Sequence, residues 1–235
     1  DGFIFNSRTT EKVVNSLAGN NRPSIVAYPP TDRFGEPVSE KEIIERAKSA
    51  ELRILFLGNV IHRKGLHTLL QAVSGQPTAL RIDVVGSLTS EPQYSKQIQE
   101  YIAHHDLSSF VFLHGPLDRE PLAVKLRQAH VLVVPSSYEG FGIVYLEGMC
   151  FGLPAIGTTT GAAAEIISDG IDGFLIQPEN AEQLANRLRV LSEKREVLIQ
   201  MSLAARKRYL QQPKWEETAG RIRKFLLKQI HEFSV

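Results

Sequence analysis

Six short apolar runs alternate with longer amphipathic stretches between residues 53 and 176, and this alternation constrains the fold more than any other feature of the chain. The runs cover 53–60, 81–87, 111–115, 131–136, 154–158 and 173–176. They are rich in β-branched and aromatic residues and most close on Gly, Pro or Ser, the pattern of strands. Their apolarity is nearly continuous and does not alternate, so each strand is expected to be buried on both faces, as in a parallel sheet covered by helices. Helical spacing fills the gaps at 64–74, 92–105, 119–129, 142–152 and 161–168, then at 180–193, 196–210 and 214–231. Strand–helix alternation of this kind predicts an α/β fold, an open, doubly wound parallel sheet of the Rossmann-like type. Ligands of such sheets bind beyond the carboxyl ends of the strands, which directs attention to the turns at 58–65, 86–90, 114–117, 135–142 and 158–161.

The first fifty residues follow a different pattern. Residues 2–7 read as a strand, 9–17 as a helix and 25–28 as a short strand. Pro, Asp, Thr and Gly then mark 29–40 as a linker, and 40–49 is a polar helix. The expected organisation is 1–30 as the tail of a preceding domain or an appendage to the sheet, 31–50 as linker and short helix, 51–212 as the Rossmann-like domain, and 213–235 as a terminal helix. The chain starts at Asp1 without an initiator Met, and we read it as a piece of a longer protein.

Charge and cysteine content exclude several classes of function. Lys and Arg number 27 against 26 Asp and Glu, so no basic excess exists to neutralise a nucleic-acid backbone. Cys150, the only cysteine, permits no internal disulfide and no cysteine zinc cluster, and its apolar surroundings predict a buried packing thiol. No apolar run approaches the ~20 residues of a membrane span, and the expected location is cytoplasmic, with peripheral membrane contact open to a longer protein. The histidines show no metal-ligand spacing, so neither a metal nor a cofactor is expected.

The segment Ser136-Ser137-Tyr138-Glu139-Gly140-Phe141-Gly142-Ile143-Val144-Tyr145-Leu146-Glu147 carries the densest chemistry. A buried strand ends at Pro135, and Gly140 and Gly142 flank Phe141 where a helix must begin. Glycines permit close backbone approach, and a helix N-terminus offers free N–H groups and positive potential, a combination suited to phosphate. Glu139 would oppose an anion there unless it faces neutral hydroxyls, which a sugar supplies. Glu147, in the second turn, would grip hydroxyls at the other end of the same ligand. Hexose, diphosphate and ribose have that layout in a nucleoside diphosphate sugar. The plainer readings are a loop carboxylate for Glu139 and a helix-surface residue for Glu147.

The segment Gly58-Asn59-Val60-Ile61-His62-Arg63-Lys64-Gly65 is the second constellation. It follows the strongest strand, where Lys64 could act as a point charge on diphosphate oxygens, or where Arg63 and Lys64 are simply solvated. It matches neither the dinucleotide glycine fingerprint nor a P-loop. Residues 158–165 form a third strand-to-helix turn whose hydroxyls could line the same cleft or cap a helix. His114, with Gly115 and Leu117, ends a strand close to the expected ligand.

Together these segments resemble the C-terminal domain of family 4 (group 1) glycosyltransferases, retaining enzymes of the two-domain GT-B fold. The family's E-x7-E signature corresponds to Glu139 and Glu147, and its G-R-x(4)-K-G segment to Gly58 through Gly65. Its G-G-x-x-E-I-I and D-G-x-x-G-F-L-V stretches resemble Thr160 to Ile167 and Asp169 to Ile176. Order and spacing agree over about residues 52–195. The resemblance implies a donor-binding half that takes a nucleoside diphosphate sugar, with Glu139 and Lys64 in catalytic roles. Glu139 would hold the donor sugar and Glu147 the ribose. Backbone of Gly140, Phe141, Gly142 and Ile143 would meet sugar and diphosphate, Lys64 with Arg63 the departing diphosphate, and His114, Gly115 and Leu117 the nucleobase. It implies transfer with retention and without a metal, by charge stabilisation of the leaving group. Asn59 stands where the family has a phosphate-binding arginine. The acceptor-binding half would be the missing partner of this chain, which is expected to turn over poorly alone. The alternative is a non-catalytic sugar-nucleotide or scaffold module of the same fold.

Overall fold

The structure is a computed structural model that describes residues 2–19, 22–75 and 79–232. The ends of the expected 1–30 and 213–235 segments, and residues 20 and 21, lie outside the described residues. The chain opens with β1 (Phe3–Phe5), α1 (Arg8–Ala18) and β2 (Ser24–Val26). Ser7 caps α1 by accepting a hydrogen bond from Thr10 N, and its φ of −155° is extended, as a cap residue requires. β1 and β2 pair in parallel as a two-stranded sheet separate from the larger one. Helix α2 (Glu40–Arg46) follows the linker, its start fixed by a reciprocal Ser39–Glu42 capping box.

The larger sheet comprises β3 (Leu52–Leu57), β4 (Leu80–Val85), β5 (Val111–Leu113), β6 (Val131–Val133), β7 (Ala155–Thr158) and β8 (Gly173–Ile176). All its pairings are parallel, in the order β5-β4-β3-β6-β7-β8. Ile54, Leu55 and Phe56 are consecutive and fully buried, so both faces of β3 are covered. The covering helices are α3 (Leu66–Val73), α4 (Pro92–His104), α5 (Arg119–Gln128), α6 (Ile143–Cys150), α7 (Ala181–Glu193) and α8 (Arg195–Leu210), and α9 (Trp215–Glu232) ends the described chain. Among these helices, Cys150 is buried, and burial pushes its thiol pKa up.

Two expectations need correction. The stretch 161–168 is not a helix, for only a 3-10 turn at Ala163–Glu165 forms. Ile166 and Ile167 dive into the core at once to reach β8, which leaves no length for helical turns. Several strands also stop short of their apolar runs, at Leu57, Val85 and Val133, where the paired register ends and the chain turns into the loops while still bonding across at single positions such as Gly58 N to Val85 O and Val134 N to Ile156 O.

His130 ties β6 to β3 and supplies a pH test of the fold. Its backbone N donates to Arg53 O at 2.7 Å, and its ring Nδ1 accepts from Arg53 N at 2.9 Å. Nε2, at 2.8 Å, therefore carries the proton that bonds Arg46 O. Burial, joined by the charges of Arg46, Arg195 and Arg53, outweighs the bond to Arg46 and lowers the ring's pKa to about 4. A histidine that titrates normally when unfolded binds protons there first, so this contribution is whole above about pH 6.5 and is lost as the pH falls toward 4. NMR of the ring protons should show His130 still neutral at about pH 6.5 and titrating only as the pH approaches about 4. A midpoint near pH 6.5 would contradict the assignment.

Candidate functional site

β3 and β6 are neighbours in the sheet although their onward connections run to opposite sides, and a crevice opens where the strand order reverses. The turns after these two strands meet there. The β3 turn runs through a 3-10 segment at His62–Lys64 to Gly65, which takes a left-handed φ of 72°. A Cβ on Gly65 would stand 2.2 Å from Pro135 O, so glycine is what lets the two turns close. Ser137 N donates to Arg63 O at 2.9 Å, and Arg63 Nη1 donates to Tyr138 O at 2.6 Å.

The close approach places Lys64 Nζ on Glu139 Oε1, as a hydrogen-bonded ion pair. Both side chains are largely buried, with 13% and 8% of their surfaces exposed. Ser136 Oγ donates to the same oxygen at 2.7 Å, and Arg63 Nη1 lies 3.7 Å from it. Among the described residues these contacts all fall on Oε1. Gly142, with φ 91°, then starts α6. A Cβ there would press within 2.6 Å of the Tyr145 ring, whose hydroxyl is anchored on Val134 O. The first turn of α6 opens into a cleft of about 260 Å³ lined by Asn6, Pro29, Lys64, Glu139, Phe141, Gly142, Ile143 and Val144.

The remaining predicted residues fall around this centre in different ways. A Cβ on Gly58 would stand 3.5 Å from the aliphatic part of Lys64, and the Gly58 carbonyl would meet any Cβ on Gly86. The Asn59 Oδ1 accepts from Ser87 N at 3.3 Å. Gly115 O accepts from Gly86 N, while Leu117 packs partly buried on the core. The His114 ring points at Asp83, a carboxylate shared with Lys125 and Arg81. Burial would raise the pKa of Asp83, but the bonds from Arg81, Lys125 and His114 outweigh it and hold the value at about 2. Phe141 is buried and stacks on Tyr28 with ring centroids 5.9 Å apart. The hydroxyls of the third turn brace the site without lining the cleft, for Thr158 Oγ1 donates to Ser136 O and Thr160 Oγ1 to Ser137 O.

Glu147 is buried and receives Arg33 Nη1 from the linker at 3.0 Å. Arg33 had no sequence signal, since a lone arginine in a linker looks solvated. Glu165 was equally unannounced as a docking point. It accepts from Arg8 N, Thr9 N, Thr9 Oγ1 and the Tyr28 hydroxyl, at 2.6 to 3.0 Å. Burial works against the charge on Glu165, but these bonds keep its pKa below the usual range. Among the described residues, no three His, Cys, Asp or Glu side chains gather as a metal site would require.

Residues 38–208, well over half of the chain, match the family model of glycosyl transferases group 1. A D-inositol 3-phosphate glycosyltransferase of Xylanimonas cellulosilytica is 27% identical over 186 residues, which is 75% of this chain and 45% of that protein. An uncharacterized glycosyltransferase of Methanocaldococcus jannaschii is 32% identical over 134 residues, 57% of this chain and 36% of that one. The chain thus spans less than half the length of these relatives. Among solved structures, Anabaena HepE with UDP and glucose superposes with a TM-score of 0.84 at 22% identity, over 95% of this chain and 62% of that one. Sucrose-phosphate synthase of Thermosynechococcus elongatus gives 0.83 at 26%, over 97% and 58%.

Proposed function

Since the chain belongs to the group 1 glycosyl transferases, we propose that it is the donor-binding half of a retaining, metal-independent enzyme that transfers a sugar from a nucleoside diphosphate sugar. The observation that carries this reading is the Lys64–Glu139 pair, buried at the switch point beside the first turn of α6. Lys64 and the helix N-terminus offer positive potential to a diphosphate, and Glu139 offers an acceptor to neutral hydroxyls. The cleft of about 260 Å³ is smaller than the ~300–1,000 Å³ of whole-ligand pockets, so it suits the sugar, with the nucleoside extending along the loops after β4 and β5.

As the bond from the anomeric carbon to the diphosphate oxygen breaks, negative charge grows on that oxygen. A fixed ammonium and fixed N–H groups then stabilise the transition state more than the ground state. Glu147 would take the ribose diol, and Arg33 must then share or yield the carboxylate oxygen it holds. Transfer is assigned to a longer protein whose second half supplies the acceptor site. HepE has been solved with UDP and with UDP-glucose, which makes UDP-glucose the first probe for this chain.

A thermal-shift panel of UDP-, GDP-, ADP- and dTDP-sugars tests donor binding, because the gain in stability scales as RT ln(1 + [L]/Kd). At least one should stabilise the chain at millimolar concentration. Flat curves throughout would favour a scaffold, a reading that Asn59 and its commitment to Ser87 otherwise support. Replacing the carboxylates separates their tasks. Glu147→Ala should weaken UDP and UDP-glucose alike, on the order of 10- to 100-fold, as expected for losing hydrogen bonds to a charged group. Glu139→Ala should weaken UDP-glucose by a similar factor and UDP far less. Equal losses for both ligands in both variants would refute the division.

A further inference from the structure

The wall of the cleft is not made by the sheet domain alone, because Asn6 and Pro29 come from the N-terminal piece. Two sets of bonds hold that piece in place. Ser7, fully buried, places its Oγ 2.8 Å from Gly140 O and donates to it, and Thr10 Oγ1 reaches the same carbonyl at 3.3 Å. Glu165 receives the first N–H groups of α1 together with the Thr9 and Tyr28 hydroxyls, a carboxylate at the positive end of a helix. The turn between β1 and α1 is therefore locked to the loop that carries Glu139. Asn6 sits in that turn, directly before Ser7.

The cleft has three polar side chains. Lys64 and Glu139 are spent largely on each other, and Asn6 makes no side-chain hydrogen bond among the described residues. A carboxamide is neutral and both donates and accepts, which matches a hydroxyl better than a phosphate. The other wall residues, Pro29, Phe141, Ile143 and Val144, offer no polar side chain. We propose that the β1–α1 turn is a built part of the sugar subsite, with the Asn6 carboxamide hydrogen-bonding one hydroxyl of the donor sugar; this rests on the donor-site reading above.

Calorimetric titration of the whole chain with UDP and with UDP-glucose tests this without an acceptor. Asn6→Ala should weaken UDP-glucose about fivefold, the size of one neutral hydrogen bond, and leave UDP within about twofold. A series of UDP-monodeoxyglucoses locates the partner. One analogue should lose about fivefold on the parent chain and show no further loss on Asn6→Ala. Unchanged UDP-glucose binding in Asn6→Ala, with the parent binding normally, overturns the role of Asn6 alone, including the case in which Asn6 serves only an acceptor. No saturable binding of UDP-glucose by the parent would sink the donor-site reading and this inference with it.

Discussion

Lys64→Ala should lower the affinity for UDP-glucose on the order of 100-fold or more and that for UDP by a comparable factor. Charge-assisted bonds to a phosphate are roughly twice as strong as neutral ones, and the site has few cations to share the load. Arg63 is half exposed and committed to Tyr138 O, Asn59 is uncharged and turned to Ser87, and Arg33 is held by Glu147. The same substitution should also destabilise the fold. It leaves the Glu139 carboxylate buried with Ser136 in contact and Arg63 at 3.7 Å. Breaking a buried pair costs about 3–5 kcal/mol, and Ser136 and Arg63 should reduce that here to about 1–3 kcal/mol. The double variant Lys64→Ala/Glu139→Gln separates the two effects, since removing the orphaned charge should restore much of the stability and none of the diphosphate affinity. Denaturant unfolding together with calorimetry measures both. A double variant that regains UDP binding would show that Lys64 acts through Glu139 and not on the phosphate.

Gly65→Ala has the second large effect, and it acts on geometry. The residue is left-handed at φ 72°, and the added methyl would lie 2.2 Å from the backbone oxygen of Pro135. The conformational penalty of about 1–2 kcal/mol adds to overpacking of about 1–3 kcal/mol, for a loss of roughly 2–5 kcal/mol. Backbone cannot swing aside as the tip of a flexible side chain can, so the turns must part and carry Lys64 away from Glu139. Gly75→Ala is the matched control, left-handed at φ 74° with nothing among the described residues within 4 Å of the added methyl. It should cost only the conformational share and leave ligand binding intact. Equal losses of stability in the two variants would mean that the contact between the β3 and β6 turns contributes little.

The contrast between those glycines also shows what the sequence makes legible. Strands β3 and β6 could be read because their buried stretches, Ile54 to Leu57 and Val131 to Val133, are apolar at every position, while in β4 the buried Asp83 interrupts an otherwise apolar run. Their ends could not, since Gly58, Val60 and Val134 resemble the strand residues and still bond across to the neighbouring strand or its loop, although the paired register stops at Leu57 and Val133. The alanines at 162–164 favour a helix locally, and the short path to β8 overrides them. At the site, Lys64, Glu139 and Glu147 were readable because each stands at a fixed offset from a strand end or a helix start. Arg33 on Glu147 and Arg8 on Glu165 join residues 114 and 157 positions apart, and pairings at that distance leave no local signature. Asn59, whose position suggested a ligand contact, accepts from Ser87 N through Oδ1, a bond to the loop after β4 that no local pattern signals.

A crystal structure of this chain from crystals soaked in UDP-glucose should show a diphosphate oxygen within hydrogen-bond reach of Lys64 Nζ, the sugar hydroxyls on Glu139 in the cleft before α6, and the ribose at Glu147 with Arg33 displaced or sharing. Nucleotide bound anywhere other than between the β3 and β6 turns, or a diphosphate that leaves the Lys64–Glu139 pair untouched, would contradict the donor-site reading.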